Sequence, residues 1–398
     1  MAGPLDGILV ADLSQNVAGP FCTQILGDMG ADVIKVERPG RGDDARAWAP
    51  PFWGRESSSF MSMNRNKRGL AVDLKVPEGL EVLRRLVARA DVLVQSLRAG
   101  VAGSLGLGYA EARAINPQLI YCSITAYGER GPLKDLPGYD PLMQAYGGLM
   151  SVNGHPGEPP ARVGTSIVDM GTGMWAALGI LGALRQRELT GQGGHVVTAL
   201  FDSVLMWVSY QMMGYLASGE VPQPQGSGTL MIAPYEAFPT LDGYLMIAAG
   251  SDALFCRACG ALEIPEAAND PRFADNPSRV RNRKVLFDLI AGITRLETAR
   301  ALQERLRAAG VPCAPILTID QVAAEPQTRA SGMLLAAPHP RIPDYRSVAL
   351  PIAWDGERPG VRRVPPLLGE HTAEALEELG FSADEIGRLE RQKVIQRQ

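Results

Sequence analysis

The feature that most constrains this chain is the regular exchange of short apolar runs with helical stretches along its first third. Ile8-Leu9-Val10-Ala11-Asp12-Leu13 is a short buried strand, and a helical segment follows from about Pro20 to Met29. Ala31-Asp32-Val33-Ile34-Lys35-Val36-Glu37 is a second strand, stopped by Arg38-Pro39-Gly40. Strand, helix and strand in this order make a βαβ unit. Glu78 to Arg89 has helical spacing ahead of the strand Asp91-Val92-Leu93-Val94, and Leu119 to Ile124 is a further strand after Asn116-Pro117. The alternation predicts an α/β fold on a parallel sheet.

Later segments read differently. Tyr139 to Gly164 is loop-rich, a helix runs from near Asp169 to about Glu188, and Thr190 to Gly194 stops it. His195 to Leu200 reads as a strand and Phe201 to Ser218 as one helix. The Pro222 to Gly228 stretch marks a domain boundary. Tyr235 to Gly250 has strand character around a turn at Asp242-Gly243, and Phe255 to Gly310 is mostly helical, so this part is expected to be a smaller α+β domain. Pro338 to Pro366 is an extended connection, and a charged helix from His371 to about Gln392 closes the chain.

Composition narrows the function. With 39 basic and 43 acidic residues the net charge is −4, and the basic residues are scattered, so there is no footprint for nucleic acid or an anionic membrane. A small-molecule ligand is expected. Five cysteines, an odd number, point to free thiols in a reducing compartment, and the N-terminal residues carry no signal-peptide pattern, so a cytoplasmic location is expected. The longest apolar stretch, Gly171 to Leu184, is shorter than the ~20 residues of a membrane span and reads as a buried core helix.

Several residues are candidates for chemistry. Glu37 ends the second strand near where dinucleotide folds place a ribose-binding acid. The turn Gln15-Asn16-Val17-Ala18-Gly19-Pro20, however, has one glycine where that fingerprint needs three, which disfavours a nicotinamide or flavin enzyme. Arg38 at a strand end is either a phosphate contact or a solvated charge. Asp169 opens an apolar helix, where the ionised form is favoured, and Gly171 and Gly173 beyond it would let a ligand approach the backbone. The alternative is that Asp169 only caps the helix. Cys256 and Cys259 have metal-ligand spacing without a second pair or a nearby histidine, so they read as buried thiols on a helix and no metal site is expected. His155 and His195 lack an acid at metal or triad spacing, and His339 and His371 read as exposed. There is no G-x-S-x-G elbow and no P-loop.

Leu5-Asp6-Gly7-Ile8, Asp12-Leu13-Ser14, Ala18-Gly19-Pro20, the run Gly30 to Gly40, and Asn64-Arg65-Asn66-Lys67-Arg68 together resemble the class III CoA-transferases. That is the family of formyl-CoA transferase and carnitine CoA-transferase. The resemblance continues through Asn116 to Tyr121, Asp169 with its helix, Thr190-Gly191-Gln192-Gly193, Val311-Pro312-Cys313-Ala314-Pro315 and Leu368-Gly369-Glu370-His371-Thr372. It implies a Rossmann-like large CoA-binding domain from residues 1–200 and 330–398, a linker helix over 201–225, a small domain over 226–329, and an interlocked homodimer. It also implies that Asp169 is the catalytic nucleophile. CoA, a substrate rather than a tightly bound cofactor, would lie near Val17, Ala18, Arg38, Val72, Asp73, Leu74, Lys75, Ser96, Leu97 and Arg98, with Tyr139 close to the thioester. Gly226, Ser227 and Gly228 would close over the acyl group.

The chain departs from that pattern in places. Val17 and Ser104 stand where formyl-CoA transferases have Gln and Arg, and Gly226-Ser227-Gly228 replaces a run of four glycines, which argues against formyl or oxalyl transfer. Gly138-Tyr139-Asp140 stands where α-methylacyl-CoA racemases have Gly-His-Asp. The expected function is transfer of CoA from an acyl-CoA to a carboxylic acid, with succinyl-CoA and a small dicarboxylate as the candidate pair. A 2-methylacyl-CoA racemase and a non-catalytic acyl-CoA-binding protein are the rivals. Oxyanion donors are expected from the backbone around Gly226 to Gly228 or at the start of the Asp169 helix.

Overall fold

The computed structural model describes residues 3–398. The chain divides into two compact units, one made of the chain up to Gly148 with Val163–Tyr210 and Gln327–Gln398, the other of Leu149–Arg162 and Gln211–Pro326. Residues 201–210 thus pack with the first unit, and 149–162 with the second.

The first unit is built on β1 (Leu9–Leu13), α1 (Ala18–Asp28), β2 (Asp32–Glu37), β3 (Lys67–Val72), β4 (Val92–Gln95), β5 (Ile120–Thr125), α2 (Asp140–Tyr146), α3 (Ile167–Thr190), β6 (Gly194–Ala199) and α4 (Leu200–Trp207). The sheet runs β3-β2-β1-β4-β5-β6 with all of these pairs parallel, and the C-terminal strand Ile395–Gln396 adds antiparallel to the outer edge of β3. Strands β1 to β4 are dense in Val, Ile and Leu because helices cover both faces of a parallel sheet; Val10, Val33, Val92 and Val94 are fully buried. The chain grows outward from β1 in one direction through β3 and in the other from β4 through β6. That reversal leaves a crevice beyond the carboxyl ends of β1 and β4.

Beneath the β1–α1 loop lies a buried charge network. Lys67 Nζ meets Asp12 Oδ2 at 3.1 Å and also donates to the Pro20 carbonyl and Asn64 Oδ1. Lys35 Nζ donates to the Ser14 carbonyl at 3.0 Å and pairs with Asp43 at 2.8 Å. Asp43 in turn accepts the N–H of Asn16, which holds a left-handed φ of 69°.

Helix α3 is the one helix among the described residues long and apolar enough to cross a membrane. Here it packs one face on α1: a Cβ at Gly173 would come within 2.5 Å of the Ala18 carbonyl, and one at Gly171 within 2.5 Å of the Trp207 ring. The two glycines therefore serve helix packing, and their bare backbone is covered by protein rather than open to a ligand. The expectation of a buried core helix is corrected in part, since Met174 and Leu178 on its other face are exposed.

Other expectations change in detail. The stretch from Tyr139 contains α2, started by Pro141, and a turn of helix at Leu149–Val152. The helix expected over Phe201 to Ser218 breaks after Trp207, and Ser209–Ser218 is separate; nothing in the sequence pattern marks that break. The closing helix is two, Thr372–Glu378 and Ala383–Arg391, because Gly380 turns at φ 83° and Ser382 starts again with a capping box to Glu385. His339 is buried beside Tyr345, and His371 is half-buried with Nδ1 accepting from the Gly69 N–H, so neither is exposed. Of the expected buried pair, Cys259 is buried and Cys256 exposed.

The second unit holds an antiparallel sheet of β7 (Tyr235–Pro239), β8 (Tyr244–Ala248) and β9 (Cys313–Pro315), with β8 central. Phe238, Leu245 and Ile247 face the buried Phe255 and Phe273. Arg279 is fully buried there, donating to the carbonyls of Ala233, Phe273 and Gly250 and to Asp252, so its charge is paired and four of its five donors are bonded.

Candidate active site

The crevice at the carboxyl ends of β1, β4 and β5 opens into a cavity of about 660 Å³, a size that suits a small-molecule site. Asp169 lines it from the first turn of α3. The helix start would favour a negative charge, yet burial, and then the neighbouring Asp140 carboxylate, push the Asp169 carboxyl up to about 7. No donor among the described residues reaches its side-chain oxygens. It is therefore not the cap of its own helix. Asp140 takes that part: its Oδ2 accepts from the N–H groups of Val168 at 2.8 Å and Asp169 at 3.2 Å, and its Oδ1 from Gln144 Nε2 at 2.6 Å. A carboxylate with no hydrogen bonds, half-shielded from water, has its lone pairs free for attack.

Of the residues expected to hold CoA, the cavity brings together Val17, Ala18, Ser96, Leu97, Arg98 and Tyr139 with Asp169. Ser96 Oγ accepts from the Gln15 N–H, and Leu97 N–H donates to Gln95 Oε1, so the β4 loop is tied to the β1 loop and to its own strand. Arg38, Val72, Asp73, Leu74 and Lys75 lie outside that lining, at the ends of the neighbouring strands β2 and β3. Arg38 is half-exposed; it pairs with Asp44 and donates from Nε to the Gly42 carbonyl. Gly226, Ser227 and Gly228 belong to the second unit. Gly226 N–H is bound to the Gly154 carbonyl and Gly228 N–H to that of Gln225, which leaves only the Ser227 N–H of the three without a partner among the described residues. The α3 start is no oxyanion site either, because Val168 and Asp169 donate to Asp140 and Met170 to the Ser166 carbonyl.

The model of CoA-transferase family III matches residues 5–372. The chain belongs to that family. Human succinyl-CoA:glutarate CoA-transferase is 37% identical over 387 residues, 97% of this chain and 88% of that one. The succinate–glutarate CoA-transferase of Agrobacterium fabrum is 40% identical over 385 residues, covering 94% and 96%. A crystal structure of a CAIB/BAIF family protein from Brucella suis has a TM-score of 0.88 at 40% identity and covers 95% of this chain and 100% of that one.

This family III CoA-transferase moves CoA from an acyl-CoA thioester to a carboxylic acid. Two features of its cavity escape sequence reading. Asp140 is one, since a cap that reaches across 28 residues to Val168 leaves no local signal. The other is a relay in which Gln95 Nε2 donates to Ser123 Oγ at 3.1 Å and Ser123 Oγ meets His195 Nε2 at 2.9 Å, with His195 stacked on Tyr109 and 3.7 Å from Glu129. His195 has no acid near it in sequence and finds one in space. Burial pushes its pKa down against the pull of Glu129, and a neutral ring accepting the Ser123 hydroxyl proton fits that direction. Among the described residues no group of three His, Cys, Asp or Glu is placed to hold a metal ion.

Proposed function

We propose that Asp169 is the nucleophile of a CoA-transferase whose donor is succinyl-CoA and whose acceptor is a small dicarboxylate. The observation that carries the assignment is the Asp169 carboxylate itself, unbonded at the cavity wall with the β1 and β4 loops and Tyr139 around it. Ionised Asp169 attacks the thioester carbonyl and expels CoA thiolate, leaving an aspartyl-acyl anhydride. The thiolate then attacks the aspartyl carbonyl, the donor acid departs as carboxylate, and an aspartyl-CoA thioester is left. The acceptor carboxylate repeats both steps in reverse. Every nucleophile and leaving group in this sequence is an anion, so no proton has to move and the one requirement is that Asp169 start ionised. A racemase would need a second base facing Asp169, and Asp140, the carboxylate whose charge acts on Asp169, is spent on the α3 backbone and on Gln144.

CoA is read as lying along the crevice with its nucleotide end toward Arg38 and Val72 to Lys75 and its thioester toward Tyr139. The strand order is that of Rossmann-like folds, which supports a nucleotide-bearing ligand at the reversal point. The exposed Tyr146, Leu178, Met206 and Leu189 support a homodimer, interlocked in the resemblance, that covers these faces. Five free thiols suit the reducing cytoplasm. The dicarboxylate pair rests on the names of the relatives. The test is intact-mass spectrometry of the enzyme mixed with succinyl-CoA alone, then a screen of acids. A CoA adduct on Asp169, discharged by glutarate or another dicarboxylate, is expected; no adduct with any donor would refute the mechanism.

A further inference from the structure

We propose that the C-terminal strand positions the nucleotide end of CoA, and that Gln396 is the residue through which it acts. The inference rests on the reading that Arg38 and Val72 to Lys75 hold that end of the substrate. The segment lies beyond residues 5–372 matched by the family model, so that match assigns it nothing.

Contacts on two sides tie this strand to both expected CoA segments. Gln396 Oε1 accepts the N–H of Gly40 at 2.6 Å, across 356 residues of chain. Gly40 sits in the turn at a φ of 78°, where few residues other than glycine rest without strain. The same turn carries Arg38, whose Nε is tied to the Gly42 carbonyl at 2.9 Å. The turn also closes on itself through the Gly42 N–H to the Arg38 carbonyl, and Asp44 pairs with the guanidinium, so the Gln396 amide is the tie that fastens this turn to the C-terminal strand. On the other side, Ile395 and Gln396 pair with Val72 and Ala71, and the Asp73 N–H donates to the Val394 carbonyl at 2.7 Å. Asp73 is thereby held with its Oδ1 accepting from the Lys75 N–H at 2.9 Å, which shapes the turn after β3. Val394 and Ile395 are buried and anchor the strand, so Gln396 works from a fixed base.

Loss of the Gln396 amide should loosen the Gly40 turn from the strand without unpairing the strand, because the backbone bonds to β3 persist. The test compares Gln396→Ala and Arg38→Ala with the wild type on two donors, succinyl-CoA and a succinyl-pantetheine thioester that lacks the nucleotide. For Gln396→Ala the KM for succinyl-CoA should rise roughly three- to ten-fold, the cost of one hydrogen bond, with kcat held. Its turnover of the pantetheine thioester should not change. An equal loss on both donors would make Gln396 merely structural and overturn the proposal, as would no change on either. Arg38→Ala separates the two layers of the argument. If it raises the KM for succinyl-CoA while Gln396→Ala does not, the inference fails and the CoA placement stands; if Arg38→Ala leaves that KM unchanged, the placement itself fails.

Discussion

Asp12 and Asp169 are the same residue type on the same side of one sheet, and their surroundings drive them in opposite directions. Both lose solvation on folding. Around Asp12 that loss is outweighed by the ammonium groups of Lys67 and Lys35 and the hydroxyls of Ser14 and Thr23, so its carboxyl is held below the ordinary range. Among the described residues Asp169 has no cation and no donor, and Asp140 beside it adds a like charge, so its carboxyl rises to about 7. Burial alone does not mark a functional acid; burial without compensation does. One carboxylate stabilises the fold and the other is kept unsatisfied for the reaction.

The largest effect should come from Asp169→Asn. It removes the nucleophile at constant volume, so transfer should fall by more than ~10⁴-fold while CoA binding by calorimetry stays within a few fold. Residual activity well above that level would break the comparison at its centre. The same variant should be more stable than the wild type at high pH. The folded state binds the Asp169 proton more tightly than the unfolded chain, whose value is near 3.8. This carboxyl's contribution to stability is therefore fully present below about 4 and is lost as pH rises through about 7. The asparagine carries no such penalty and should gain up to about 4 kcal/mol above pH 7 in urea denaturation, and nothing near pH 4.

Asp12→Ala should do the reverse. It strands Lys67, fully buried and already pushed down to about 8 by desolvation against the pull of Asp12. Breaking such a pair costs about 3–5 kcal/mol, and the loss should show in denaturant midpoints at neutral pH. A variant as stable as the wild type would mean that the network under the β1–α1 loop contributes nothing.

How far the sequence reveals this contrast depends on the range of each interaction. The alternation from Ile8 to Ile124 announces the parallel sheet because strand burial is written in consecutive residues, and Gly191 announces the end of α3 because a left-handed cap is a local need. Asp169 stands out by its place at a helix start. What makes it differ from a cap is Asp140, which takes the backbone N–H groups an acid at a helix start would usually bind. That substitution of one acid for another is invisible until the chain is folded. The same holds for Gly171 and Gly173, whose bare faces are filled by Trp207 and α1, and for His371, drawn inward by the edge of β3.

A smaller effect sharpens the contrast. Asp140→Asn keeps an oxygen to accept from Val168 and Asp169 but removes the negative charge that raises Asp169. Transfer should gain with rising pH in both proteins, since ionised Asp169 attacks, and the midpoint of kcat/KM near 7 in the wild type should move to lower pH in the variant. Desolvation is the larger cause of the shift, so the midpoint should stop short of the ordinary carboxylate range. A profile that falls with pH would assign Asp169 to acid chemistry instead.

The smallest expected effect belongs to Tyr139, and it tests whether Asp169 truly lacks a donor during turnover. Tyr139 lines the same cavity, and it also borders a smaller hollow beside Asn16, Arg41 and Trp48. Its ring is more than half exposed, and its hydroxyl reaches no partner among the described residues. If the phenol donated to Asp169 in the complex it would stabilise the anion, and Tyr139→Phe would then move the pH midpoint upward and slow transfer by an order of magnitude or more. We expect instead that the ring packs beside the thioester and orients the acyl group. Tyr139→Phe should then keep the pH midpoint and lower kcat by no more than about three-fold, within the worth of one exposed hydrogen bond. Tyr139→Ala should cost more than Tyr139→Phe, because it takes away the surface that positions the acyl carbon against the carboxylate. The pH profiles of the two variants, measured on one donor, separate a phenol that hydrogen-bonds the Asp169 anion from a ring that only holds the substrate in front of it.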